Sequence, residues 1–232
     1  MKIFKLVLIM FLMNPTLSVA QSTTNSIYMD QVGDGSTITI TQEGQNNQIG
    51  DVSQPAPFTL QGNGQNVDMN IIGNNNTVNG NITQSDGSST TLATTGDDNS
   101  IVFDVGSNAD TGSSTTDMTI QGSINTVTMT QGAVSSATNA NQTIAITGDL
   151  NTYKSNIETD DVTNTVAVTG DQNTLTLLQN GQSGKNIDLT LQGDTNSITI
   201  NQKSTLNVDS IIVNSQSSGS TVLINQCNTS GC

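Results

Sequence analysis

The sequence predicts an all-β chain, a β-solenoid of stacked strand–turn–strand repeats, with about 22–26 residues per repeat and about 8 turns. Three observations carry this expectation. The first is composition: Asn, Gln, Ser and Thr supply 109 of 232 residues, while charged residues make up 10%, aromatics 3% and hydrophobics 32%. A soluble globular domain carries roughly 45–50% apolar and about 25% charged residues, so uncharged polar side chains have replaced both classes. Disordered chains share the low hydrophobicity but usually carry high charge and few β-branched residues. This chain is rich in Thr, Ile and Val, which favour strands. The second observation is a recurring Gly-x-x-Asn with apolar residues at fixed offsets, and the third is period-two alternation on both sides of it.

At the N-terminus, Lys2 and Lys5 precede an unbroken apolar run, Leu6 to Met13, and the small residues of Ser18-Val19-Ala20. This reads as a secretory signal at 1–20, cleaved before Gln21. The run is too short for a bilayer span, which needs about 20 residues. A repeat domain follows at 21–226 and a Cys-flanked tail at 227–232.

The repeat is anchored on Gly33, Gly44, Gly73, Gly96, Gly122, Gly148, Gly170 and Gly193. Three residues on, Asn recurs as Asn47, Asn76, Asn99, Asn125, Asn151, Asn173 and Asn196, with Ser36 the exception after Gly33. Five residues on, the side chain is apolar or aromatic: Ile38, Ile49, Val78, Ile101, Val127, Tyr153, Leu175, Ile198. Four residues before, it is apolar: Met29, Ile40, Met69, Leu92, Met118, Ile144, Val166, Leu189. The first two glycines are 11 apart, and those from Gly73 onward are 22, 23 or 26 apart. The unit is therefore strand, Gly-x-x-Asn turn, strand and a longer polar linker. Each strand offers two or three apolar side chains, too few to stand alone, and stacking makes their columns continuous. Eight or nine turns at roughly 4.8 Å give a rod about 40 Å long.

Parity puts the Asn, the apolar residues and a Gln nine residues after the glycine on one face. That Gln is Gln42, Gln131, Gln179 or Gln202, with Ile82, Val105 or Ile157 in other units. Buried amides are costly unless paired, but identical amides one strand spacing apart donate and accept along a column. Gln31 joins this expected amide set. The Asn column has a second explanation, since Asn also tolerates left-handed turns. At the C-terminus, Cys227 and Cys232 are expected to form a local disulfide in an oxidising compartment. An intermolecular bridge or an attachment thiol is the alternative.

The segment from Ser26 to Gln42 resembles a curlin repeat, with Gln31, Gly33, Gly35 and Gln42 on the matching positions, Ser36 in place of Asn and Ile38 in place of Ala. Gln42-x-Gly44 with Asn47 starts a second such unit. Later units keep Gly-x-x-Asn and the closing Gln, while the first Gln becomes Ile120, Val168 or Leu191. The resemblance implies a secreted subunit of curli-like surface amyloid fibres, extracellular and at the cell surface. It implies a role in adhesion and biofilm matrix, with self-association into fibres, a nucleator subunit and an outer-membrane export pore as partners.

Charge argues against nucleic acid and anionic membrane as partners. Without Lys2 and Lys5 the chain holds three Lys against 19 acids and no Arg, whereas phosphate neutralisation needs clustered cations. No enzyme is expected, and no cofactor. There is no His, and the adjacent acid pairs Asp97-Asp98 and Asp160-Asp161 fall in expected turns or linkers. The rival to assembly is a monomeric solenoid binding module, an ice-binding protein or a surface or phage adhesin. It would use an outward hydroxyl row, Thr37, Thr77, Ser100, Thr126, Thr152, Thr174 and Ser197, broken by Gln48.

Overall fold

The computed structural model describes residues 21–227 apart from 23–24, 51–57, 74, 84–86, 97, 106–113, 123, 132–140, 159–161, 181–183, 185 and 204–209. The expected signal segment and the Cys227–Cys232 pairing lie outside the described residues. Thr- and Ile-rich segments with alternating burial form eighteen described strands, and they pair in parallel throughout.

Odd-numbered strands build one nine-stranded sheet. They are β1 (Gln21–Ser22), β3 (Thr37–Gly44), β5 (Asn66–Ile72), β7 (Ser89–Thr95), β9 (Thr115–Gln121), β11 (Asn141–Thr147), β13 (Thr163–Thr169), β15 (Asn186–Gln192) and β17 (Ser210–Gln216). Even-numbered strands build a second nine-stranded sheet. They are β2 (Asp30–Val32), β4 (Thr59–Gln61), β6 (Thr77–Thr83), β8 (Asp98–Val105), β10 (Ile124–Gln131), β12 (Leu150–Glu158), β14 (Gln172–Asn180), β16 (Thr195–Lys203) and β18 (Gly219–Cys227). Successive strands of the chain lie in opposite sheets, and every second one is a neighbour. That is a parallel β-solenoid, with one strand of each sheet per turn.

Each turn of the coil is a rung. An odd strand runs into the Gly-x-x-Asn corner, an even strand runs out, and the next odd strand starts from the opposite side. Inward residues stack in register. In the even sheet Val127 pairs with Ile101 on one side and Tyr153 on the other. In the odd sheet Ile144 lies between Met118 and Val166. These columns form one continuous core, nearly every member 2% exposed or less. No single rung could supply it, because three side chains per strand bury too little area alone.

Two details depart from the sequence expectation. Gly33 does not belong to the corner of Gly44 and Gly73. It stacks under Gly62, whose added Cβ would collide with the Gly33 carbonyl, and Gly33 N donates to Gln61 O at 3.0 Å. Gly33 therefore sits at the linker corner, half a turn from Gly44, which explains both the 11-residue spacing and the missing Asn at Ser36. The second departure is the 29-residue interval from Gly44 to Gly73. Gln48 bridges Thr77, and beyond residues 51–57, outside the described residues, Phe58 and Leu60 continue the inward columns of the second even strand. Leu60 pairs with Ile82, and both Phe58 and Leu60 are fully buried.

Candidate functional site: amide ladders, faces and open ends

The Asn column is the most regular polar feature of the core. Asn99, Asn125, Asn151 and Asn173 each donate from Nδ2 to the Oδ1 of the next Asn, at 2.8, 2.7, 2.8 and 2.8 Å, ending on Asn196. The same Nδ2 groups also reach the carbonyls of their own corner glycine and of the residue before the next one. Asn125, for instance, donates to Gly122 O at 3.0 Å and Thr147 O at 3.1 Å. Asn76 donates backward instead, to Asn47 Oδ1. The ladder places its amides so close to the corner that a side chain there is excluded. A Cβ on Gly73, Gly96, Gly122, Gly148, Gly170 or Gly193 would run into the carbonyl of the glycine below and the Asn amide beside it. The Gly and the Asn of the rung before it are one device.

Asn25, which sequence reasoning missed, heads this column. Its Nδ2 donates to Glu43 O at 2.6 Å, the contact that Asn99 makes with Gln121 O at 2.9 Å. Ser22 pairs with Gly44, so the first rung has Ser in the glycine place. Offsets of three, five, seven and nine from Ser22 give Asn25, Ile27, Met29 and Gln31. The signal is present in the sequence, with Ser22 standing where the other rungs have Gly.

In the Gln column, Gln179 Nε2 donates to Gln202 Oε1 at 2.9 Å, both residues buried. The register of this column runs Gln31, Leu60, Ile82, Val105, Gln131, Ile157, Gln179, Gln202, Gln226. Gln31 is half-buried and donates to Ser36 Oγ at 3.1 Å. Gln42 is elsewhere: it lies in the odd sheet opposite Ile71, buried, donating to Gln48 O at 3.4 Å. Its displacement follows from the half-turn offset of Gly33.

A second polar stripe crosses the interior near the linker corner. Thr90, Thr116 and Asn164 occupy a column whose other members are Ile38, Val67, Gln142, Ile187 and Ile211. Ser155 and Asn164 lie beside the Tyr153 hydroxyl, and none of the three makes a well-aligned hydrogen bond there. Complete burial pushes the Tyr153 phenol up to about 12, despite the opposing effect of Ser155 and Asn164.

The outer faces are flat and nearly uncharged. On the even sheet Thr77, Ser100, Thr126, Thr152, Thr174, Ser197 and Thr221 follow one another in register. Thr37 is in the odd sheet and outside this row. A groove of about 630 Å³ runs along the glycine corner past Asp149, Asp171 and Asp194. Among the described residues no group of His, Cys, Asp or Glu is arranged to hold a metal ion. Asp98 accepts from Asn75 Nδ2 at 2.9 Å, while Asp97, Asp160 and Asp161 lie outside the described residues. No described helix is long and apolar enough to cross a membrane.

Among the described residues, nothing covers the C-terminal rung. Val222 and Ile224 are 44% and 43% exposed, whereas Ile198 and Ile200, one rung earlier in the same columns, are 1% and 0% exposed. Ile211 and Val213 are half-buried on the odd-sheet side of the same rung. Ile212 and Leu223, on its outer faces, are 57% and 52% exposed. Ser217 and Ser220 replace the corner Gly and the Asn, so the corner device stops here. No family model matches the chain, and neither a curated protein nor a solved structure matches it.

Proposed function

We propose that the chain is a secreted, non-catalytic structural subunit that self-associates through its rod ends into curli-like extracellular fibres, serving adhesion and biofilm matrix at a bacterial surface. The observation that carries the reading is the β17–β18 rung, which no described residue covers. Its backbone edge and its apolar columns are those of an interior rung with no described rung beyond it. Monomeric β proteins cover or charge such edges, and this edge carries no charged residue, only Gly, Ser, Thr, Val, Leu, Ile, Asn, Gln and Cys. An outer-membrane export pore and a nucleator subunit fit the same reading as partners.

The test is fibre formation by the chain from residue 21 to 232. Incubation should yield unbranched fibres in negative stain and a meridional reflection near 4.7–4.8 Å, the strand spacing along the axis. Protein that remains monomeric for days without that reflection would sink the proposal.

The hydroxyl row of the even sheet supports a second reading, a monomeric binding module that presents an ordered flat face, as in ice binding or surface adhesion. Seven consecutive strands carry Thr or Ser there at one strand spacing. Thermal hysteresis from dilute monomer, abolished by Thr126→Lys with Thr174→Lys, would decide for it.

A further inference from the structure

The sequence holds three Asn-Gly dipeptides, Asn63–Gly64, Asn79–Gly80 and Asn180–Gly181. In such a pair the main-chain nitrogen of the glycine can attack the asparagine side-chain carbonyl, because the glycine has no Cβ to hinder the approach. Asn180–Gly181 runs beyond the described residues, and the fold treats the other two in opposite ways.

Asn79–Gly80 lies inside β6, with Asn79 opposite Val102 and Gly80 opposite Phe103 in the parallel ladder. Gly80 also packs against the Phe58 ring. Closing a five-membered ring there would bend an extended strand and open its ladder. The asparagines of the corner column are held as firmly: Asn125 Nδ2 reaches two carbonyls and the Asn151 amide. Asn63–Gly64 is different. Both residues are exposed, in the bend between β4 and β5, and Gly64 has a φ of 65°. Among the described residues, neither the Asn63 side-chain amide nor the Gly64 N–H has a hydrogen-bond partner. The rest of the bend is pinned to the turn of chain below it. Asn63 N donates to Asp34 Oδ1 at 2.8 Å, and Gly35 N donates to Asn63 O at 2.8 Å.

We propose that Asn63 is a modification site, where the folded chain deamidates spontaneously through a succinimide. The Gly64 N–Cγ bond forms, the Cγ–Nδ2 bond breaks, and the amide leaves as ammonia with the proton that Gly64 N gives up. Water then adds to one of the two imide carbonyls. The product is aspartate when the Gly64 N–Cγ bond reopens, and isoaspartate when the main-chain carbonyl is released instead. Nothing is oxidised or reduced.

Either product sets a new carboxylate beside Asp34, whose Oδ1 already accepts from the Asn63 main chain. Isoaspartate also lengthens the main chain by one carbon, where Gly62 rests on Gly33 so closely that a Cβ would lie 2.4 Å from the Gly33 carbonyl oxygen. That contact and the Gln65 Nε2 bond to Gly33 O join two successive turns of the coil. A rod that is not turned over would collect this change with age at one bend, while its strands and its Asn column keep their amides.

Peptide mapping by mass spectrometry, on chain kept folded at mildly alkaline pH, tests the assignment. The peptide with Asn63 should gain the mass of an amide-to-acid conversion, as a mixture of aspartate and isoaspartate that chromatography separates. It should convert at least about tenfold faster than the peptide with Asn79, because the ladder must open before Asn79 can react. In denaturant the two rates should converge. Asn63→Gln should abolish conversion at that position and leave the rate at Asn79 unchanged. Equal rates at Asn63 and Asn79 in the folded chain, or conversion of Asn63 only after denaturation, would overturn the proposal. Aspartate without isoaspartate would overturn it too, since direct hydrolysis of the side chain gives aspartate alone.

Discussion

A corner glycine and the Asn of the rung before it depend on each other. The Asn amide folds back over the corner to reach two carbonyls and the next amide, and only a residue without Cβ leaves room. Gly148→Ala should therefore cost at least about 3 kcal/mol, since the added methyl meets backbone that cannot rotate away. Gly219→Ala, whose Cβ finds only Asp194 O at 3.8 Å, should be nearly neutral in the same urea titration. Equal effects would show that the corner repacks freely. Tyr153 gives a pH prediction. Its folded value lies above the ordinary 10.0, at about 12. The stability it contributes as a neutral phenol is thus complete below pH 10 and lost as pH rises towards 12. Alkaline melting followed by circular dichroism should show that loss, and Tyr153→Phe should flatten it. The sequence made the Gly–Asn pairing legible, because seven anchors share its spacing. It did not reveal Asn25, whose anchor is Ser22, nor that Tyr153 would lie beside Ser155 and Asn164, which depends on how two sheets face each other.

Strands were the most readable elements, since alternation of Thr or Asn with Ile, Leu or Val marks both the strand and its inner face. Phase was harder to read. The Gly33 segment has the composition of a corner unit yet belongs to the opposite corner, because a half-turn and a full turn place similar residues around Gly. Gly33 and Gln42 moved out of their expected columns for that one reason. The second rung shows how an element survives interruption. Phe58 returns after residues 51–57 and overhangs Gly80, with Phe103 on the far side, ring centroids 6.5 Å apart. A methyl at Gly80 would strike the Phe58 ring and sit 3.2 Å from Phe103. Gly80→Ala should destabilise by about 1–3 kcal/mol through overpacking, and Phe58→Leu in the same chain should recover part of that loss. Strict additivity of the two changes in thermal melts would refute the contact as the cause.

At the scale of the whole molecule, burial is cooperative along the axis: each rung covers the one before it, and among the described residues nothing covers the last. Val222→Lys with Ile224→Lys places two charges on that last face, at positions 44% and 43% exposed that stack on Ile198 and Ile200. Fibre growth should stop, with a loss of monomer stability of about 1–3 kcal/mol confined to the contact with that neighbouring rung. Growth at the unmodified rate would remove the C-terminal rung from the assembly surface. The number of rungs, nine among the described residues, was close to what repeat spacing indicated, because each repeat contributes one strand to each sheet. The register of Gln21 on Glu43 was not legible, since its rung has Ser22 where the others have Gly.

The Asn column also gives the rod an electrical axis. From Asn99 to Asn196 every side-chain amide points its N–H toward the C-terminal end, so the small dipoles add in line. Asn47 and Asn76 point the other way, and the reversal leaves Asn76 Oδ1 and Asn99 Oδ1 facing each other without donors, with Asn47 Nδ2 idle as well. This is a wall between two polarisations, as in a ferroelectric crystal. Rotating two amides by half a turn sweeps the wall out, restores donors to both oxygens and leaves a single polar filament down the length of the solenoid. A fibre of such rods stacked head to tail would accumulate that polarity, and one with alternating rods would cancel it, so alignment in an electric field would read the stacking from outside the fibre.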